Sequence, residues 1–143
     1  MECMWCDKGE ELRHVVKKVC ELKSGILYIH RDQTHPGRCI LALGRHEQKL
    51  VNLEKSEYMA LMEDIGRVLH ALTDVFSPDK INILVLGDQS AHMHIHICPK
   101  YKDGPEFGVP FAVNEPVETR IPEEELNERI LKIKEGLKKW EKF

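Results

Sequence analysis

Aromatic residues are scarce, 6% of a 143-residue chain. No apolar run approaches the roughly 18 residues of a membrane helix, so no membrane partner is expected. A basic excess is also missing. The 21 Lys and Arg against 24 Asp and Glu leave a net charge of −3, which offers no electrostatic footprint for bulk nucleic acid. The five cysteines are an odd number, which argues against a closed disulfide framework and for a reducing, cytoplasmic setting. The opening Met-Glu-Cys-Met-Trp-Cys has neither the basic start nor the apolar run of a signal peptide. Repeats and low-complexity segments are absent. What remains is an ordinary globular composition, 42% hydrophobic and 31% charged, in a length that suits one domain around a single core.

In chain order, Cys3-Met4-Trp5-Cys6 is a C-x-x-C, half of a zinc site or a redox pair. No strand precedes it, which disfavours a thioredoxin-like role. Leu12, Val15, Val16, Val19 and Leu22 have helical spacing and predict a short helix over 10–22, with Cys20 as a packing residue. Residues 26–30 and 38–43 read as strands of a hairpin, separated by a polar loop with a Pro36-Gly37 turn. The apolar stripe from Tyr58 to Phe76 predicts the longest helix, 55–76, with Ser56 as candidate N-cap; His70 is an ordinary residue of it. Residues 81–86 form the next strand, a tight connection follows at 87–90, and the strand after that completes a second hairpin. Residues 101–120 read as an irregular connection rich in Gly and Pro, and Pro122 opens an amphipathic C-terminal helix. The expected class is α+β: an antiparallel sheet built from two hairpins flanking a long helix, with a C-terminal helix. Residues 1–143 form one domain, with 105–143 as a C-terminal extension ending in that helix.

The stretch that organises the chain is His92-Met93-His94-Ile95-His96-Ile97-Cys98, followed by Pro99-Lys100. Strict alternation is the period of a half-buried strand, placing His92, His94, His96 and Cys98 on one face and Met93, Ile95 and Ile97 in the core. Residues i and i+4 of a strand lie about 13 Å apart, whereas zinc nitrogens sit ~2.0–2.1 Å from the metal. One flat strand therefore does not bring all three imidazoles onto one ion. Two could share a metal, or the row could serve as a relay of donors and acceptors along a polyanion.

Three histidines separated by single apolar residues, then two further residues and a Pro with a basic residue, resemble the signature of the histidine-triad superfamily. The likeness runs over about residues 3–104. Pro36 to Leu41 with Arg45-His46 resembles the family's turn, apolar strand, basic residue and His. Asn82 with Gly87-Asp88 resembles the segment preceding the triad, and Pro99-Lys100-Tyr101 resembles the family's Pro-Arg-Tyr, with Lys100 in the Arg position. The resemblance implies a nucleotide hydrolase or nucleotidyl transferase acting at an α-phosphate. His94 would form a covalent nucleotidyl intermediate, His96 would donate to a non-bridging oxygen, and Gln89 and Ser90 would bind phosphate oxygens or the leaving group. Asp32 would accept from ribose hydroxyls, or is a solvated loop carboxylate. Substrates would be phosphoramidates, dinucleoside polyphosphates or related mixed anhydrides, and a homodimer and no organic cofactor are implied.

Some bacterial-type relatives carry a structural zinc on an N-terminal C-x-x-C, a mid-chain His and the first triad His. Cys3, Cys6, His46 and His92 are the matching residues, a closed tetrahedral set. The alternatives are a metal-dependent hydrolase using His92 and His94 as catalytic ligands, a nucleotide-binding adaptor with little turnover, and a phosphorylase or transferase of the same superfamily.

Overall fold

The computed structural model describes residues 2–113 and 119–143; residues 114–118 of the expected irregular connection, Pro116 among them, lie outside these. The C-x-x-C sits on a single helical turn, α1 (Met4–Asp7), and a second short helix, α2 (Glu10–Val15), follows. The helix expected over 10–22 ends there. Val16–Glu21 is instead a strand, β1, antiparallel to β2 (Gly25–His30). The register of that pair shifts between Lys18 and Cys20. Such a bulge breaks the alternation of two, and burial then recurs at Val16 and Val19, a spacing that imitates a helix.

Gly37 turns the chain into β3 (Cys39–Leu43) with φ +92, against the Phe76 ring, where a Cβ would lie 2.8 Å from a ring carbon. A 3-10 turn at Leu50–Asn52 leads to the long helix α3 (Lys55–Phe76). Its N-cap is Glu54, not Ser56. The Glu54 side chain accepts from the N3 backbone while Glu57 accepts from the Glu54 N–H, a reciprocal box that satisfies two orphan donors. Ser77, left-handed at φ 49, closes the helix. The last strands are β4 (Lys80–Leu84) and β5 (His94–Lys100), and α4 (Glu123–Lys139) begins just after Pro122.

The five strands form one sheet in the order β1-β2-β3-β5-β4, every neighbouring pair antiparallel. Alternation sorts the side chains between two faces. Leu27, Ile29, Cys39, Leu41, Ile95 and Ile97 join α3 and α4 in the main core. A smaller cluster of Trp5, Leu12, Val16, Tyr28, Ile40 and Ala42 lies on the other face, under the N-terminal segment. Buried Leu and Ile side chains of this kind each contribute about 1.5–3 kcal/mol relative to exposure. Asp64 of α3 accepts from both the Ser24 N–H and hydroxyl, each at 2.6 Å, which ties the helix to the β1–β2 turn.

The strand carrying the histidines is displaced by two residues from its expected span. His92 and Met93 precede β5, while Pro99 and Lys100 belong to it. The β3 pairing of β5 runs from His94 to Ile97, so at Pro99 only β4 remains as a neighbour. That edge-like position tolerates a residue without an N–H. Likewise β4 stops at Leu84, leaving Val85 and Leu86 in the connection.

Candidate active site and metal centre

His94 and His96 project from the face opposite the main core, beside Ala42 and Ile40 of β3. Met93, Ile95 and Ile97 are buried on the core side, as the alternation requires. His94 is half-buried. Its Nδ1 lies 2.9 Å from the His92 carbonyl, and a carbonyl can only accept, so Nδ1 carries the proton and Nε2 the lone pair. Nε2 has no hydrogen-bond partner among the described residues. The indole of Trp5 stacks on the ring at 4.8 Å and 27°, and the His96 ring meets it edge-on at 5.1 Å.

His96 is buried, and its Nδ1 has no hydrogen-bond partner among the described residues. Burial first, then the charges of His94, Arg38 and His30, hold its pKa down to about 3. It is therefore neutral near pH 7, with one N–H to donate and one lone pair. His30 is depressed to about 3 as well, by burial first and then by Arg38; its Nδ1 accepts from the Asp32 N–H.

His92 faces away from this pair. Its Nε2–H donates to the Leu43 carbonyl at 2.8 Å, which leaves the Nδ1 lone pair free. That nitrogen lies 3.5 Å from Cys3 Sγ and 3.4 Å from Cys6 Sγ, and His46 Nδ1 lies 3.4 Å from Cys6 Sγ. The four ligand atoms all fall within 4.8 Å of one another. A tetrahedral zinc with ordinary bond lengths spaces its nitrogen and sulfur ligands about 3.6 Å apart, so the set fits that ion. The Leu43 carbonyl is the outer partner that a metal-bound imidazole normally has. The Cys6 thiol is pushed up by the protein around it and by the neighbouring Cys3 thiol, a cost that a dication would remove.

The other expected residues are dispersed. Ser90 is held by the His92 backbone: its hydroxyl donates to the His92 carbonyl and accepts from the His92 N–H, both at 3.3 Å. Gln89 is exposed and makes no hydrogen bond among the described residues. Asp32 is not a solvated loop carboxylate. It is 3% exposed, and its Oδ1 accepts from the Thr34 N–H, the Thr34 hydroxyl and the Thr119 N–H. Burial raises its pKa but these bonds outweigh it, so the carboxyl stays below its usual range.

Four residues of the site were not anticipated. Trp5 roofs His94. Phe111 contacts the His96 ring at 6.2 Å and the His35 ring at 6.3 Å, and the Arg38 guanidinium stacks over it at 5.2 Å. Arg38 and Lys100 are both buried. Lys100 carries a signal that could have found it, since it continues the alternation His94, His96, Cys98 on one face. A cavity of about 700 Å³ opens beside this end of the row, between β4 and residues 107–111, with Asn82, Leu84, Lys100 and Phe111 in its lining.

An antiparallel sheet carrying a row of imidazoles, with two cysteines and a further histidine gathered at its first member, is the architecture of a histidine-triad protein. The sequence matches the family model of the HIT domain over residues 11–103, and the chain belongs to that family. Its fold is similar to that of a histidine-triad protein from Sinorhizobium meliloti 1021, with 22% identity, a TM-score of 0.81 and coverage of 90% of this chain and 94% of that one. A hypothetical histidine-triad nucleotide-binding protein from Sulfolobus tokodaii gives 17% identity and 0.71, covering 96% and 93%. A zinc-bound histidine-triad protein from Mycobacterium smegmatis gives 16% and 0.70, covering 99% and 97%. No curated protein matches the chain. Family membership points to nucleotide binding with hydrolase or transferase chemistry, and the Cys3, Cys6, His46 and His92 cluster points to zinc. No helix among the described residues is long and apolar enough to cross a membrane.

Proposed function

We propose that the protein is a nucleotide hydrolase that works at an α-phosphate through a covalent bond to His94. The observation that carries this reading is the tautomer: the His92 carbonyl holds the Nδ1 proton, so the Nε2 lone pair is the reactive one. Nε2 attacks the phosphorus, and the bond to the leaving group breaks with its electron pair going to that group. Water then attacks the same phosphorus, gives up a proton, and releases the nucleoside monophosphate and neutral His94. His96, neutral and buried beside it, donates to a non-bridging oxygen as charge develops. Ser90 and Gln89 sit on the loop at the start of the row and bind outer phosphate oxygens. Asp32 orders the neighbouring loop and turns its remaining carboxylate oxygen toward ribose.

Cys3, Cys6, His46 and His92 hold a structural zinc. Four protein ligands close the coordination sphere, so the ion supplies rigidity and no water for attack. The division of labour is supported by the rings themselves: His92 Nδ1 faces the thiols while His94 Nδ1 is spent on a carbonyl. This favours the phosphate role over catalytic metal ligation by the pair.

A second copy has a surface to use. Leu50, Val51, Val85 and Leu86 line one shallow depression and are all exposed, as are Met59 and Met62 of α3. A particle of single-chain mass by light scattering would remove the homodimer from this reading.

The central test is His94→Ala with a fluorogenic adenosine phosphoramidate. Turnover should fall by at least about a thousandfold. Intact-mass measurement on the quenched wild-type reaction should show a nucleotidyl adduct. Undiminished turnover in the variant removes His94 as nucleophile, and tight nucleotide binding with neither adduct nor turnover turns the protein into a binding module.

A further inference from the structure

His94 is held by little of its own strand. Its one hydrogen bond among the described residues, Nδ1–H to the His92 carbonyl at 2.9 Å, fixes the tautomer but lets the ring pivot about that bond. The plane of the ring is set by its neighbours. His96 meets it edge-on, and the indole of Trp5 covers a face at a centroid distance of 4.8 Å and an angle of 27°. Trp5 is 4% exposed and belongs to the smaller apolar cluster with Tyr28, Ile40 and Ala42.

Trp5 is carried by α1, a turn of four residues, and so short a helix does not hold its shape alone. The N–H groups of Cys6 and Asp7 donate to the Cys3 carbonyl, that of Lys8 to the Met4 carbonyl and that of Cys3 to the Asp7 carboxylate, so these bonds close the turn on itself. Among the described residues, polar contact between residues 3–7 and the sheet runs only through the two thiols. They meet His46 just after β3 and His92 just before β5. Cys3 and Cys6 flank Trp5, so whatever draws those thiols together also decides where the indole lies.

We propose that Trp5 is a positioning residue for His94, and that zinc on Cys3, Cys6, His46 and His92 is felt at the phosphate chemistry because it clamps this indole over the nucleophile. The proposal rests on the hydrolase reading above. Bound zinc supplies a fixed closure of four protein ligands and nothing more. The indole then keeps the imidazole from swinging about the His92 carbonyl. Attack needs Nε2 within about 3–3.5 Å of phosphorus along a fixed line, and a misplacement of about 1 Å costs on the order of a hundredfold. A flat face is what fixes the plane of a stacked ring; an aliphatic side chain fills the space without doing so.

The test separates the flat face from simple filling. Trp5→Phe keeps an aromatic plane and should form the nucleotidyl adduct within threefold of the wild-type rate, read by mass in a quenched single turnover at saturating substrate. Trp5→Leu keeps an apolar filler and should slow that step at least tenfold, with nucleoside monophosphate binding by calorimetry changed less than twofold. Lost binding with an unchanged adduct rate makes Trp5 a substrate contact, and equal slowing in both variants makes it a packing residue; either overturns the proposal. Zinc removal by a chelator should slow the wild-type step at least tenfold and the Trp5→Leu step less than twofold, since the face the metal positions is already gone. Equal slowing of both means that the metal acts by another route and overturns the link. A fluorescence arm needs no turnover. Trp5 and Trp140 are the two tryptophans, so in Trp140→Phe the emission comes from Trp5 alone. Zinc removal should shift that emission to the red while far-ultraviolet circular dichroism is retained. A band that stays in place, or shifts only as the sheet signal collapses, overturns the clamp. A zinc-dependent shift in a protein that forms no adduct supports the clamp and counts only against the hydrolase reading.

Discussion

His92 and Lys100 stand near the two ends of one extended segment, and their surroundings are opposite in kind. At the first end two thiols and two imidazoles converge with lone pairs inward. Such a set binds a cation. At the far end Arg38 and Lys100 are buried, and the Lys100 ammonium donates to the Asn82 side-chain oxygen and the Val109 carbonyl. Such a set carries fixed positive charge. His94 lies between them. The histidines of the row are chemically identical in the unfolded chain, so their different roles come from neighbours supplied by distant segments: Cys3, Cys6 and His46 at one end, and Arg38, Asn82 and residues 106–111 at the other.

The comparison breaks most severely at the metal end. Cys3→Ser removes a ligand from the closed set, and bound zinc should fall from about one per chain to near none by elemental analysis. Stability should drop by more than about 2 kcal/mol in denaturant unfolding, because the ion also ties α1 to the sheet. Cys20→Ser is the control, since that thiol lies outside the cluster, partly buried against the core. Zinc retained by the Cys3 variant, or lost equally from the Cys20 variant, would dissolve the distinction between the two ends.

Much of this was legible in the linear chain because it depended on local period. The alternation through residue 98 placed three imidazoles opposite an apolar set, and the stripes of α3 and α4 were read within a residue or two. The C-x-x-C with His46 and His92 was legible only through family resemblance, since nothing local relates residue 3 to residue 92. β1 was misread because its bulge spaces Val16 and Val19 like a helix. The N-cap was misplaced because Glu54 and Glu57 cap each other, a pairing less familiar than a serine at that position. The Lys100 end was missed for a different reason. Arg38 and Lys100 fall within segments that resemble the family's, but no role was attached to them, Phe111 carries no motif, and a charged residue ordinarily signals solvent. Only the fold shows that these charges are buried and converge.

A finer difference between the ends concerns protons. Near the end that holds Arg38, His30 and His96 are both depressed to about 3, against ~6.5 for a free imidazole. Between those values the unfolded chain binds more protons than the folded one. The stability from keeping each ring neutral is thus fully present above about pH 6.5 and is lost as pH falls toward 3, by about 1.4 kcal/mol per pH unit per group. His30→Asn keeps an acceptor for the Asp32 N–H and removes one titrating ring. Urea unfolding at pH 7, 6, 5 and 4 should show the variant less stable at pH 7 by about 1 kcal/mol, the order of one altered buried hydrogen bond. The gap should close and then reverse as the pH drops, since the wild-type protein loses stability with one more proton. Any acid-driven loss of metal affects both proteins alike and cancels in the difference. Parallel curves would mean that His30 titrates normally in the fold. The field of Arg38 would then not reach the rings beside His94, and the chemical contrast between the two ends would stop at Lys100.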